Sequence, residues 1–233
     1  MSEVQAWGPA GLWQRSVAWS LDAVLLAVPA LLLAGSRRGD WTHVVERTEA
    51  VLEHMASAMA RAIIEGVPLP GLAIELLADG ELRSLAGALQ TAVWQWAWPP
   101  VLVFVLAGAV YHVAFECSPG QGSPGKRLLG LAVCDRQGRR LRPARALGRH
   151  FAGGLSWLSL NLGHAMAAIP PEHLALHDQL SSTRVLAPAG RRLPAWGWAW
   201  LLLLALIVVA ATASGMDWAL ETMTAALERS LYG

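Results

Sequence analysis

An aspartate in the middle of an apolar run is the costliest single residue of this chain. Asp22 is the only charge within Ser16–Ala34, SVAWSLDAVLLAVPALLLA. On insertion scales a carboxylate at the centre of a bilayer costs about 2.5–3.5 kcal/mol, so it needs a partner, a proton or water. Two chemistries meet that need. One is a proton or cation site. The other is a structural clamp, in which Asp22 accepts hydrogen bonds from a cationic or amide group on another segment. Arg15 lies seven residues earlier, on the same helical face but about 10.5 Å away along the axis, a stretch for direct pairing. Lys126, Arg127, Arg149 and His150 are better candidate donors.

Other patterns carry less. Gly120-Gln-Gly-Ser-Pro-Gly125-Lys126 matches GxGxxG and GxxxxGK by letter. Phosphate binding by either needs a strand before and a helix after. Here an apolar helix precedes, a strand-like run follows, and Arg127 takes the place of the magnesium-binding Ser/Thr. A tight turn is the simpler reading, with Lys126 and Arg127 anchored at lipid headgroups or a carboxylate. His173 and His177 have a spacing that can bind zinc on a helix. The intervening Leu174-Ala-Leu lacks the glutamate of H-E-x-x-H, so His177–Asp178 is read as fixing a segment end. No Ser-His-Asp or Cys-His arrangement follows from spacing, and G-x-S-x-G is missing. No enzyme activity, cofactor or metal is expected.

These residues must be positioned by membrane helices. Hydrophobic residues make up 55% of the chain, charged residues 15%, and the mean hydropathy is +0.40. A soluble domain carries roughly 25% charged residues. Residues 16–34 are long enough to span, with Pro29 a possible kink. No cleavable signal peptide is expected at the start, which lacks a basic n-region. Residues 35–90 hold five arginines and eight carboxylates. Helical spacing of Val44, Thr48, Val51, Met55 and Met59 predicts an amphipathic helix over Trp41–Glu65, broken by Gly66-Val-Pro-Leu-Pro-Gly71. Asp79-Gly-Glu-Leu-Arg reads as a cap for the next helix. Thr91–Phe115 is the second expected span, opened by Trp94, Trp96 and Trp98. Trp196–Ser214 is the last, opened by Trp196, Trp198 and Trp200. Trp favours the membrane–water boundary.

Glu116–His150 carries eight cations, Lys126, Arg127, Arg136, Arg139, Arg140, Arg142, Arg145 and Arg149, against Glu116 and Asp135. The positive-inside rule places this loop and the N-terminus in the cytoplasm and the acidic insertion outside. Cys117 and Cys134 then read as free thiols. Ala146–Ile169 is apolar but interrupted by Arg149, His150, Asn161 and His164. It reads as a broken, re-entrant segment bending near Asn161–Gly163, because Leu129–Cys134 and Thr183–Leu186 look like strands that pair on one side. A crossing helix is the alternative. Gly215–Gly233 reads as a short acidic amphipathic helix.

Three motifs in this order resemble the RDD family of bacterial membrane proteins, named for an Arg and two Asp. Arg15 and Asp22 lie in LWQRSVAWSLD, Ser123-Pro-Gly-Lys-Arg127 resembles the family's SPGKR loop, and Leu176-His-Asp-Gln-Leu-Ser-Ser-Thr-Arg-Val185 resembles its HD…T-x-V ending. The likeness covers roughly 11–28 and 101–186; Ser181–Ser182 depart from the Ala-Gly of the pattern. It implies a polar core of Arg15, Asp22 and Asp178 in a multi-pass inner-membrane protein. It also implies a link to transport without an established solute, and no known catalysis.

The sequence thus predicts an all-α integral membrane protein. Three transmembrane helices and a broken segment are joined by a helical extracytoplasmic insertion and a short strand pair. Its divisions are 1–34, 35–90, 91–186 and 187–233. Lys126, Arg127, Arg149, His150 and His177 are candidate partners or relay groups. Two functions follow: transport of ions or small solutes using the intramembrane carboxylate, or a non-catalytic membrane subunit. The expected partners are the lipid bilayer, anionic lipid at the basic loop at about 1 kcal/mol per cation, and a protein at the insertion or a second copy. The net charge of +1 gives no argument for nucleic acid.

Overall fold

The structure is a computed structural model and describes residues 7–232. Among the described residues, three helices are long and apolar enough to cross a membrane: α1 (Leu12–Ser36), α4 (Gly80–Glu116) and α9 (Ala195–Tyr232). Together with the broken segment described below they make an all-α integral membrane protein with one small sheet. At a rise of 1.5 Å per residue, α4 is about 55 Å long and α9 about 57 Å, well beyond a hydrocarbon core of roughly 30 Å. The second span was expected at Thr91–Phe115 and the tail at Gly215–Gly233 as separate pieces. Both belong instead to single continuous helices. A change from apolar to polar residues ends a span but does not end a helix. Pro99 and Pro100 lie inside α4 without terminating it.

The chain folds as two compact units. The first comprises the chain through Ala30 and Leu102–Leu203. It contains β1 (Trp7–Pro9), α5 (Pro124–Leu128), β2 (Ala132–Asp135), α6 (Pro143–Leu158), α7 (Leu162–Ala165), α8 (Leu176–Ser181) and β3 (Thr183–Pro188). The strands form an antiparallel sheet in the order β1-β3-β2, with Val133 opposite Val185 and Gly8 opposite Ala187. The expected pair is present, shifted to Ala132–Asp135. The third strand, β1, was not expected. Its three residues contain Gly8 and Pro9, and they become a strand because β3 runs on to Pro188 and offers a free edge. The sheet's inner face joins Ala10, Val17, Ala18, Leu129, Leu131 and Ala146 in one buried core.

The weak third segment is broken as its composition suggests. Helix α6 spans 16 residues, and Leu160 and Asn161 then take positive φ of 52° and 65°. α7 follows, and α6 packs on α8. Strand β2 precedes this excursion and β3 follows it, and the two strands pair. The excursion therefore leaves from and returns to the same sheet, which a helix crossing about 30 Å of bilayer cannot do.

The second unit comprises Leu31–Val101 and the chain from Leu204. It contains α2 (Arg38–Glu65) and α3 (Leu69–Ala78). Gly66, at φ 69°, closes α2 by donating to the carbonyl of Ile63. Ala58, Ala62 and Leu72 form the buried contact between the two helices. The expected cap is present: Asp79 Oδ1 accepts from the backbone N–H of Glu81 at 2.8 Å and Leu82 at 3.0 Å, and Oδ2 is 2.7 Å from His54 Nε2. Val44, Val51 and Met55, on the expected apolar face of α2, are buried or half-buried. The exposed apolar side chains lie instead at the α2–α3 turn: Ile63, Ile64, Leu69, Ile74 and Leu77.

Candidate functional site

The two motif aspartates sit in the first unit, both completely buried, and each is held in a different way. Asp22 lies in the third turn of α1. Its Oδ1 accepts from the Tyr111 hydroxyl of α4 at 2.8 Å and from the backbone N–H of Gly125 at 2.8 Å; its Oδ2 accepts from the Ser123 hydroxyl. Pro124 starts α5 immediately after Ser123, so the short helix opens against the carboxylate. The loop has to come this close through glycine. A Cβ at Gly125 would collide with the carbonyl oxygen of Ala18 and stand 2.9 Å from Asp22 Oδ1.

None of the cations expected as Asp22 partners touches it. Lys126 Nζ is 2.7 Å from Glu116 Oε1. Arg127 donates to the Ser118 hydroxyl and lies over the Phe115 ring. Arg149 is bound elsewhere, as described below. His150 Nε2 is 3.1 Å from the carbonyl oxygen of Val105. Three neutral donors satisfy Asp22 instead. One of them is a backbone amide, which no side-chain pattern announces.

The cations converge on Asp178. Arg15 pairs with its Oδ2 and Arg149 with its Oδ1. The backbone N–H of Ala175 also donates to Oδ2, at 3.0 Å, closing the first turn of α8. Arg15 is fixed further by the carbonyl oxygens of Ala10 at 3.0 Å and His173 at 2.7 Å. Arg149 reaches Thr183 Oγ1 at 2.6 Å, and its Nε lies 3.6 Å from Glu116 Oε2. The chain Arg15–Asp178–Arg149–Glu116–Lys126 thus alternates in sign. It ties the start of α1, the end of α4, the SPGKR loop, α6 and α8 together. With Asp22 it sets three cations against three carboxylates. Burial alone would raise the Asp178 carboxyl, but Arg149 and Arg15 outweigh it and hold it well below the usual range. His177 Nε2 is 3.6 Å from Asp178 Oδ1; burial, reinforced by Arg149, pushes its imidazole well below its ordinary value, so it stays neutral at pH 7.

Glu116 is the member that the sequence conceals. In sequence it reads as a stray acid in a basic loop, yet it is 2% exposed and shared by Lys126 and Arg149. A carboxylate at the C-terminal end of a span, ten residues before a lysine, was the available signal. Tyr111 lies in none of the motifs, and Ser123 and Thr183 stand within the SPGKR and HD…T-x-V motifs with nothing in their spacing to name their carboxylate or guanidinium partners. His173 does not join His177 as a ligand pair: its Nδ1 is 2.9 Å from the carbonyl oxygen of Ala167.

The motif residues that resembled one family therefore gather in the first unit, Arg15 and Asp178 in the ion-pair chain and Asp22 on the SPGKR loop. A family model described as the RDD family matches residues 9–182, a range that holds Arg15, Asp22, the SPGKR loop and Asp178. YxaI of Bacillus subtilis (strain 168), described as an uncharacterized protein, is 26% identical over 178 residues, which is 76% of this chain and 97% of that protein. No solved structure matches the chain. This membrane protein, with its buried Arg15–Asp178 pair and its Asp22-anchored SPGKR loop, belongs to the RDD family.

Proposed function

We propose that the chain is a non-catalytic subunit of the bacterial inner membrane, and that its polar core is a latch rather than a path for solute. The observation that carries this is the state of Asp22: fully buried, with three neutral donors filling its two oxygens. A carboxylate that changes protonation needs a water path, and Asp22 is sealed by the loop it anchors. The exposed apolar side chains of the α2–α3 turn would dock a partner protein, since a cluster of this kind off the membrane marks an interaction site. Purified protein in liposomes is expected to leave an imposed pH gradient intact, with or without Asp22→Asn. A gradient that collapses with the wild type and holds with Asp22→Asn would overturn the latch in favour of transport.

Transport of ions or small solutes is the second reading, and one observation favours it. Unlike Asp178 and Glu116, Asp22 holds no cation among the described residues. A carboxylate without a fixed counter-ion is where an exchanged cation or proton would sit.

The topology that goes with both readings puts the N-terminus and the basic loop in the cytoplasm and the acidic insertion outside. With Cys117 and Cys134 replaced by alanine, Glu65→Cys should react with a membrane-impermeant maleimide in spheroplasts, and Arg139→Cys only after lysis. The reverse pattern would invert the topology.

A further inference from the structure

The outer face of the small sheet carries a set of charges that the polar core does not use. Strand pleating puts alternate residues on one face. Trp7, Arg184 and Leu186 share the face opposite Val185 and Ala187, which enter the core. With Arg136 and Glu172 they line a cavity of about 260 Å³. Arg184 donates to the carbonyl oxygen of Arg136, which fixes its guanidinium beside that residue. Arg139 and Arg145 of the same loop are committed to Asp135. Arg136, Arg184 and Glu172 have no ion-pair partner among the described residues. A second cavity, of about 350 Å³, shares Glu172 and Leu174 and continues along Ile169.

We propose that this joined groove is a phospholipid site selective for phosphatidylethanolamine. The lipid phosphate sits between the Arg136 and Arg184 guanidiniums, and its ammonium meets Glu172. Guanidinium forks match phosphate oxygens. The Trp7 ring, half-exposed at the cavity, is suited to the ammonium and to the interface level. The order of the groove fits a lipid. The broken segment exposes Leu158, Leu160 and Leu162 at its tip and then Ile169, and Pro170 and Pro171 lead to Glu172. Apolar wall therefore gives way to charge as acyl chain gives way to headgroup. Phosphatidylethanolamine sets an opposite charge against each charged group of the site, its one phosphate shared by the two guanidiniums and its ammonium at Glu172. A glycerol headgroup offers Glu172 hydroxyl donors but no cation, and a choline ammonium has no N–H to donate. The inference rests on the bilayer location of the chain and on neither functional reading.

The test is native mass spectrometry of the full chain in detergent, titrated in turn with phosphatidylethanolamine, phosphatidylglycerol and phosphatidylcholine of matched acyl chains. Phosphatidylethanolamine should be retained at least about five-fold better than either competitor. Arg136→Gln with Arg184→Gln should abolish that preference, whereas Arg140→Gln with Arg142→Gln, which removes the same charge from the basic loop, should keep it. Glu172→Gln should shift the preference toward phosphatidylglycerol. All these side chains are exposed, so folding should persist, and an unchanged helical circular dichroism spectrum verifies it. Equal retention of the three lipids, or equal losses from both arginine pairs, overturns the site and leaves only diffuse basicity. A wild-type preference for phosphatidylglycerol overturns the role of Glu172.

Discussion

Asp178→Asn is expected to lower the stability of the detergent-solubilised protein by about 3–5 kcal/mol at pH 7, the usual cost of removing one partner of a buried ion pair. The carboxylate is fully buried and bonded to two guanidiniums at once. Arg149 would keep Glu116 and Thr183. Arg15 would keep only carbonyl oxygens, leaving a buried charge without a counter-charge. The amide also cannot accept on both sides, so either Arg149 loses its acceptor or Arg15 and the Ala175 N–H lose theirs together. Unfolding in increasing SDS mole fraction measures the effect. A variant within about 0.5 kcal/mol of wild type, the range of ordinary surface changes, would mean that the network does not hold the segments together.

The pH dependence gives the same claim a sign. Burial acts to raise the Asp178 carboxyl, but Arg149 and Arg15 prevail and depress it. A carboxyl depressed in the folded state contributes stability that is complete above its unfolded value of about 3.9 and is lost as pH falls below it. The difference between wild type and Asp178→Asn should hold from pH 8 to about 5 and shrink below about pH 4. His177 acts in a separate window. Burial, with Arg149 beside it, pushes its imidazole down. Its contribution is present above about 6.5, the unfolded value, and declines as pH falls below it.

What the sequence revealed follows from what each signal measures. Hydropathy detects the slab of lipid, so α1, α4 and α9 were visible as apolar runs. Their true lengths were not, because Gly80–Gln90 and Gly215–Tyr232, beyond the apolar runs, are helical too. The bend at Asn161 was legible from polar residues and glycines inside an otherwise apolar stretch, and the residues that turn there do so in the left-handed region. The order of the motifs suggested that Arg15, Asp22 and Asp178 act together, but not which pairs with which. A charge-balance argument sent the cations to Asp22 because it stands in the apolar run. The fold sends Arg15 and Arg149 to Asp178, 163 and 29 residues away. Side-chain reach decides the difference. Arg15 starts α1 and extends away from Asp22, toward the turn that opens α8. Glu116 was hidden by its neighbours in sequence, eight cations that set the sign of the loop while two of them needed a buried counter-ion.

Gly125→Ala should be the most damaging single-atom change in the SPGKR loop, and should exceed either substitution of the aspartate it contacts. The added methyl would collide with the Ala18 carbonyl oxygen, a main-chain atom of α1 that cannot turn aside, and would stand 2.9 Å from Asp22 Oδ1 and 3.0 Å from its Cγ. Loop and helix must then separate. Separation removes the Gly125 N–H and the Ser123 hydroxyl from Asp22 together, leaving a buried carboxylate with Tyr111 alone. Unsatisfied buried polar groups cost about 1–3 kcal/mol each, more when charged, and overpacking adds about 1–3 kcal/mol. Asp22→Asn is milder, because its amide oxygen still accepts from both Tyr111 and Gly125 and the Ser123 hydroxyl can turn to accept from the amide N–H; about 1–3 kcal/mol is expected. Asp22→Leu leaves all three donors without an acceptor and should fall between. The three variants, expressed in parallel and unfolded in SDS, should therefore rank Gly125→Ala, then Asp22→Leu, then Asp22→Asn in order of loss. A Gly125→Ala protein as stable as wild type would show that the loop does not seat on α1. An Asp22→Leu protein more stable than wild type would show that the buried carboxylate is kept for something other than holding the loop, and would return the transport reading to first place.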